Sequence, residues 1–279
     1  MATTATARAR QVATEQQAVA TVEREIRSTL RPSRSRYLRE YQDAFRRYET
    51  VSSLSSIGTA LRQADVVLIG DYHSLESCQH FAADVLSILA DQERPLVIGL
   101  EAFYTSDQPA LNSWCAGSLS LDGLRDKVRF EQEWGYEWQP YSALLRTARE
   151  HNASVFGLDC RPRYDLRRVR MRDRHAAQRA SGVRGKHPES RLLLLVGESH
   201  LAPQHLPALL RQHLPGDRVL TVLQNVDALY WQAGAETADD VEAVRVADDI
   251  FCVFNATPLE KYESYRQYLE QSDHAGERA

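Results

Sequence analysis

Val66-Val67-Leu68-Ile69-Gly70-Asp71-Tyr72-His73 joins four aliphatic residues to a glycine, a carboxylate and a histidine three places after the glycine. So short an apolar run, rich in β-branched residues and closed by glycine, reads as a buried strand rather than a helix. The glycine permits a sharp turn or a close backbone approach. The histidine that follows can then aim a neutral imidazole back over the strand end. The pattern returns at Leu192-Leu193-Leu194-Leu195-Val196-Gly197-Glu198-Ser199-His200, again with a carboxylate directly after the glycine. Two such copies are more specific than either alone.

Further aliphatic runs alternate with longer amphipathic stretches on both sides of these copies. Strands are expected at Asp65 to Ile69, Leu96 to Leu100, Ser154 to Leu158, Leu192 to Val196, Val219 to Leu223 and Ile250 to Phe254. Helices are expected at Glu76 to Asp91, Gln108 to Ala116, Tyr141 to His151, Asp165 to Arg179, Pro203 to His213 and Leu259 to Gln271. This alternation predicts an α/β fold with a mainly parallel central sheet flanked by helices. Asn225 to Val246 fits neither period cleanly and reads as a helical or irregular excursion.

Ahead of the first strand, the spacing of Val19, Val22 and Ile26, and then of Tyr37, Leu38, Tyr41 and Phe45, fits two helical faces divided at Pro32. The predicted organisation is an N-terminal helical extension over 1–51, an α/β domain over 52–272 with its motifs in 52–214, and a flexible tail over 273–279. The arginines from Arg31 to Arg39 read as a solvated face, and the extension is a candidate homodimer element.

With a net charge of -4, the chain has no broad field that would favour nucleic acid or an acidic membrane. Its aliphatic runs fall far short of the roughly 20 residues that a membrane span needs. Met1 to Ala20 lacks the apolar core and cleavage site of a secretory signal, and no lipobox is present, so the expectation is a cytoplasmic protein. Cys78, Cys115, Cys160 and Cys252 form no CxxC pair and read as reduced structural thiols.

The chemistry gathers after the strands. Gly70-Asp71-Tyr72-His73 follows the first, Glu101 the second, Asp159-Cys160-Arg161 the third and Gly197-Glu198-Ser199-His200 the fourth. In an open parallel sheet the carboxyl ends share one edge, and ligands bind in the crevice outside it. His73, His200 and Glu101 would supply nitrogen and oxygen ligands suited to a divalent ion such as Fe, Mn, Zn or Co. Asp71 and Glu198 can join as ligands or orient the rings. His80 lies seven residues after His73 and can return to the same face, or be a partly buried helix residue.

Arg161, nearest the crevice, is the expected partner of a carboxylate or other anion. Arg163, Arg167, Arg168, Arg170, Arg172 and Arg174 read mostly as a solvated helix face with Asp165 and Asp173 as local partners. Surface or capping roles are expected for His151, His175, His187, His205, His213 and His274. Trp134, Tyr136, Trp138 and Tyr141 can wall a flat ligand or pack a core. Walker A, GxGxxG, GxSxG and HExxH are all absent, which argues against the chemistries that they mark.

As an ordered set, these motifs resemble the ChaN-like haem-binding-uptake proteins, grouped with the Tiki, TraB and erythromycin-esterase-like proteins. The resemblance runs from about Ser52 to Leu214. It rests on Asp65 to His73 with His80, Leu100 to Phe103 with Gln108, Trp138 to Ala148, Gly157-Leu158 with Arg161-Pro162-Arg163, Arg172 to Arg174, and Val196 to His200. It implies an α/β fold whose two GxxH motifs and one glutamate, by position His73, His200 and Glu101, form a shared polar site. The sequence departs from the pattern at Asp71, where glutamate is frequent, at Asp159-Cys160, where Asn is common, and in its missing export signal.

Two readings follow. In one the chain binds haem or a metal ion and is linked to iron handling. Arg161 then faces a propionate, and a Tyr or His, with Tyr72 and Tyr104 beside the motifs, is the axial ligand. In the other it is a divalent-metal-dependent hydrolase of an ester or peptide bond, with Glu101 or Glu198 as general base. An inactive relative serving as an interaction domain is a third, blander outcome.

Overall fold

The computed structural model describes residues 2–29, 36–90, 94–163, 168–237 and 241–276. In chain order the elements are α1 (Ala2–Thr29), α2 (Arg36–Ala44), β1 (Thr50–Ser52), α3 (Leu54–Gln63), β2 (Val66–Asp71), α4 (Glu76–Ala90), β3 (Leu96–Tyr104), α5 (Gln108–Cys115), α6 (Leu121–Val128), α7 (Phe130–Glu133) and α8 (Trp138–Glu150). They continue with β4 (Ser154–Asp159), α9 (Val169–Lys186), β5 (Arg191–Gly197), α10 (Leu206–His213), β6 (Val219–Gln224), α11 (Asp227–Glu236), β7 (Ala243–Ala247), β8 (Ile250–Val253) and α12 (Pro258–Gly276). Single 3₁₀ turns at Thr105–Asp107 and Glu198–Leu201 follow β3 and β5.

The strands form one sheet in the order β1-β7-β8-β6-β2-β5-β3-β4. From β8 to β4 all neighbours are parallel, and β7 and β1 close the other edge antiparallel. Helices on both faces explain why the central strands are apolar throughout rather than alternating: Val66, Val67, Leu68 and Ile69 are all fully buried, two toward each face. The expected parallel α/β sheet is therefore present.

Differences from the sequence reading lie at the edges. Asn225 to Val246 contains helix α11 and most of strand β7, whose short run of buried and half-buried residues gives little periodic signal. β1 has three residues and was not anticipated. Helices α3 and α6 are each started by a serine, Ser53 and Ser120, accepting a backbone N–H three residues on. The break expected at Pro32 lies outside the described residues, and so does the end of the tail, since α12 runs to Gly276. The two N-terminal helices are not detached: α1 packs on α11 and α12, and α2 on the turn at Glu198–Leu201.

β3 and β4 are irregular where they matter most. Leu100 pairs with Gly157 but Tyr104 with Asp159, so Glu101, Ala102 and Phe103 bulge opposite a single residue. A Cβ on Gly157 would lie 2.1 Å from the Tyr104 carbonyl oxygen, so only glycine lets the bulge close. Truncating Leu68, fully buried at the sheet centre, should cost about 2–5 kcal/mol. Urea denaturation of Leu68→Ala checks this.

Candidate functional site

The two GxxH copies end neighbouring strands. β2 and β5 run side by side with Gly70 opposite Val196 and Asp71 opposite Gly197, and β3 lies on the far side of β5. Gly197 thus sits between the His73 ring and the Glu101 carboxylate. A Cβ there would be 3.1 Å from His73 Nε2 and 3.3 Å from Glu101 Oε2. The requirement for glycine at this place is one of space.

The two histidines have different surroundings. His73 Nδ1 lies 2.9 Å from Asp71 Oδ2. Asp71 is buried, and it also accepts hydrogen bonds from the Tyr141 hydroxyl at 2.6 Å and from the Gln79 amide. A carboxylate oxygen accepts, so the His73 Nδ1–H is the donor in this pair. The ring packs edge-on against Trp134 and tilted against Tyr136.

His200 has a carboxylate on each ring nitrogen: Asp173 Oδ1 2.5 Å from Nδ1 and Glu101 Oε1 3.3 Å from Nε2. Burial alone would lower its pKa, but Glu101 and Asp173 push it up to about 10. His200 is therefore a buried imidazolium.

Glu101 is buried, which would raise its pKa, yet His200 and Arg172 hold it well below the usual carboxylate range. Oε1 accepts from Arg172 at 2.5 Å, and Oε2 accepts from the Gly197 backbone N–H at 2.5 Å. Arg172 also donates from Nε to Asp159 Oδ1 at 2.7 Å and from Nη2 to Asp159 Oδ2 at 2.9 Å. Arg163 completes the cluster, reaching Asp159 at 2.8 Å and the carbonyls of Glu101 and Ala102 at 2.9 and 3.3 Å. The bulge carbonyls that the sheet leaves unpaired thus find a guanidinium.

Glu198 borders a neighbouring network. Lys261, buried on α12, donates to Glu198 Oε2 at 3.3 Å and to the Asn225 carbonyl at 3.1 Å, and its Nζ lies 3.5 Å from Asp227. Burial raises the Glu198 pKa from its ordinary value, and Lys261 opposes that only in part.

These groups open onto a cleft of about 380 Å³, lined by Tyr37, Tyr72, His73, Tyr136, Glu198 and Tyr265 among others. Among the described residues no Arg or Lys lines it. Tyr72 and His73 line this cleft, whereas Glu101 and His200 line a separate void of about 10 Å³. Among those residues, no group of three His, Cys, Asp or Glu side chains is disposed to hold a metal.

Other sequence expectations change. Arg161 is exposed, pairs with Glu133 at 2.9 Å and stacks on Tyr104. The buried guanidiniums are Arg163 and Arg172, both assigned to a solvated face by their neighbours in sequence. Tyr104 is buried beneath Arg163 rather than in the cleft wall. His80 is exposed on α4, and its neighbour Gln79 is the residue that faces Asp71. Asp173 partners His200 rather than a helix arginine. His205 is buried, stacked on Tyr37 and set between Glu40 and the Ser199 carbonyl. Arg167 and Asp165 lie outside the described residues. Lys261 and Tyr37 had no local motif that could have singled them out.

Residues 57–182 match the family model of haem-binding uptake proteins, Tiki superfamily, ChaN. That segment is a little under half of the chain, and over it the sequence is similar to those proteins. Among solved structures, the type III effector HopBA1 is similar in fold, with a TM-score of 0.56 at 11% identity over 76% of this chain and 98% of that one. The ChaN of Campylobacter jejuni, solved with cofacial heme binding, gives a TM-score of 0.48 at 14% identity over 72% of this chain and 91% of that one. No curated protein matches the chain. Among the described residues no helix is long and apolar enough to cross a membrane.

The imidazolium gives a signed prediction. A group whose pKa is raised on folding adds stability that is complete below its unfolded value, about 6.5, and disappears as pH rises toward about 10. Unfolding free energy should fall across that window in the wild type and fall less in His200→Gln, as urea titrations at several pH values will report.

Proposed function

We propose that this chain binds haem in the cleft beside His73, with His73 Nε2 as the group that meets the iron. The observation that carries this reading is the Asp71 carboxylate on His73 Nδ1, fixed by Tyr141 and Gln79. A buried acceptor on one ring nitrogen fixes the tautomer and strengthens the other nitrogen as a ligand. The match to a haem-binding-uptake family supports it.

The residues suit the macrocycle better than its side chains. Tyr72, Tyr136 and Tyr265 offer apolar ring surface beside the His73 imidazole. The described lining has no cation for the propionates, while Asp71 and Glu198 are acidic. The propionates would therefore face solvent at the mouth. Burial pushes the Tyr72 phenol up, which keeps it protonated and favours His73 over Tyr72 as iron ligand. When bound, haem would supply a redox-active iron; the chain's own part is to orient one imidazole and enclose the ring.

Glu198 supports a second reading, hydrolysis of an ester or peptide bond. Its raised pKa suits a carboxylic acid that gives up a proton, and His73 on the same cleft suits the base. A metal-dependent form would require Glu101 to exchange Arg172 or His200 for the ion.

Haemin titration followed by visible absorption tests the first reading. A saturable, stoichiometric Soret shift is expected, weakened at least about tenfold in His73→Ala, roughly 1.4 kcal/mol. No shift in the wild type, or an equal one in the variant, contradicts it. Ester hydrolysis lost in both Glu198→Gln and His73→Ala would support the second.

A further inference from the structure

On the other side of Tyr37 from the haem-sized cleft, a separate opening of about 330 Å³ lies between α2, α9 and α10. Two of the residues that line it each carry a buried polar atom with no hydrogen-bond partner among the described residues, Oδ2 of Asp173 and the hydroxyl of Tyr37. Asp173 is only 1% exposed, and its other oxygen holds His200. A buried carboxylate oxygen left unmatched is strongly unfavourable, so a donor is expected there. Arg170 stands three residues before Asp173, on the same face of α9. It also lines the opening and makes no ion pair among the described residues, and Gln204 lines the same opening.

We propose that this opening is a second binding site for a small zwitterion, its ammonium on Asp173 Oδ2 and its carboxylate on Arg170, with Tyr37 and Gln204 as flanking hydrogen-bond groups. The remaining charges nearby do not compete for it. Glu40 is taken up by His205 at 2.9 Å and by Arg36 at 2.7 Å, and His205 also donates to the Ser199 carbonyl. A zwitterion leaves the local charge unchanged, which suits a site that already balances acid and base. Because Asp173 also grips His200, and Tyr37 borders both openings, occupancy here would be felt at the His73 cleft.

The test is calorimetry and thermal shift on the full chain with the common free amino acids, with putrescine as an ammonium-only probe and succinate as a carboxylate-only probe. At least one amino acid should bind saturably, putrescine and succinate at least about tenfold more weakly. Arg170→Ala should weaken that binding tenfold or more, and Asp173→Asn should abolish it, while His73→Ala retains it. Arg170 is exposed, so its variant reads out binding even where Asp173→Asn fails to fold. Tighter binding of putrescine, unaffected by Arg170→Ala, would overturn the zwitterion in favour of a simple cation site. No binding by any probe would also overturn it, and would assign Oδ2 to a water in the void of about 10 Å³ that Asp173 shares with His200 and Arg172. Haemin titration of the same samples reads the His73 cleft separately, so either site can fail without the other.

Discussion

An ionised carboxylate inside a protein costs several kcal/mol unless cations and donors surround it, and Glu101 carries that constraint for this fold. Its neighbours come from distant parts of the chain. Arg172 arrives on α9, His200 after β5, and the Gly197 N–H from the centre of the sheet. Removing any one leaves a buried charge unmatched, which is more damaging than the loss of an ordinary contact. Asp159 and Arg163 extend the same logic to the bulge of β3, which turns Glu101 toward β5 and leaves carbonyls that Arg163 then accepts responsibility for as donor.

That constraint divides two motifs that look alike in sequence. In the first copy the carboxylate after the glycine, Asp71, orients its own histidine. In the second the corresponding Glu198 turns away to Lys261, and His200 is held from outside its motif by Asp173 and Glu101. One imidazole is thereby fixed as a cation in the protein's interior. The other lines the cleft with its Nδ1 on Asp71. The repeated pattern reflects two neighbouring strands that end alike, while burial and partners assign separate tasks.

The parallel sheet was legible because Val66 to Ile69 and Leu192 to Val196 are too apolar and too short to be anything but buried strands. Convergence of the motifs followed from the shared carboxyl edge. The arginines were only partly legible: seven lie between 161 and 174, and although Arg163 and Arg172 fall in segments that carry the resemblance, their spacing does not mark them as the two that go inside. Their burial depends on the β3 bulge and on the start of α9, which no short pattern encodes. His205 and Lys261 were missed for a related reason, since each meets carboxylates more than sixty residues away along the chain. β7 was hidden because its five residues, second from the edge of the sheet, are only partly buried and show no clear alternation.

The division of labour between the two histidines can be read directly by ¹⁵N NMR of histidine-labelled protein across a pH series. The account predicts that both ring nitrogens of His200 stay protonated until pH approaches about 10, while the His73 ring carries its proton on Nδ1. If His200 instead loses its proton near the ordinary histidine value of about 6.5, Glu101 is not held in the way described, and the two motifs are not distinguished by charge.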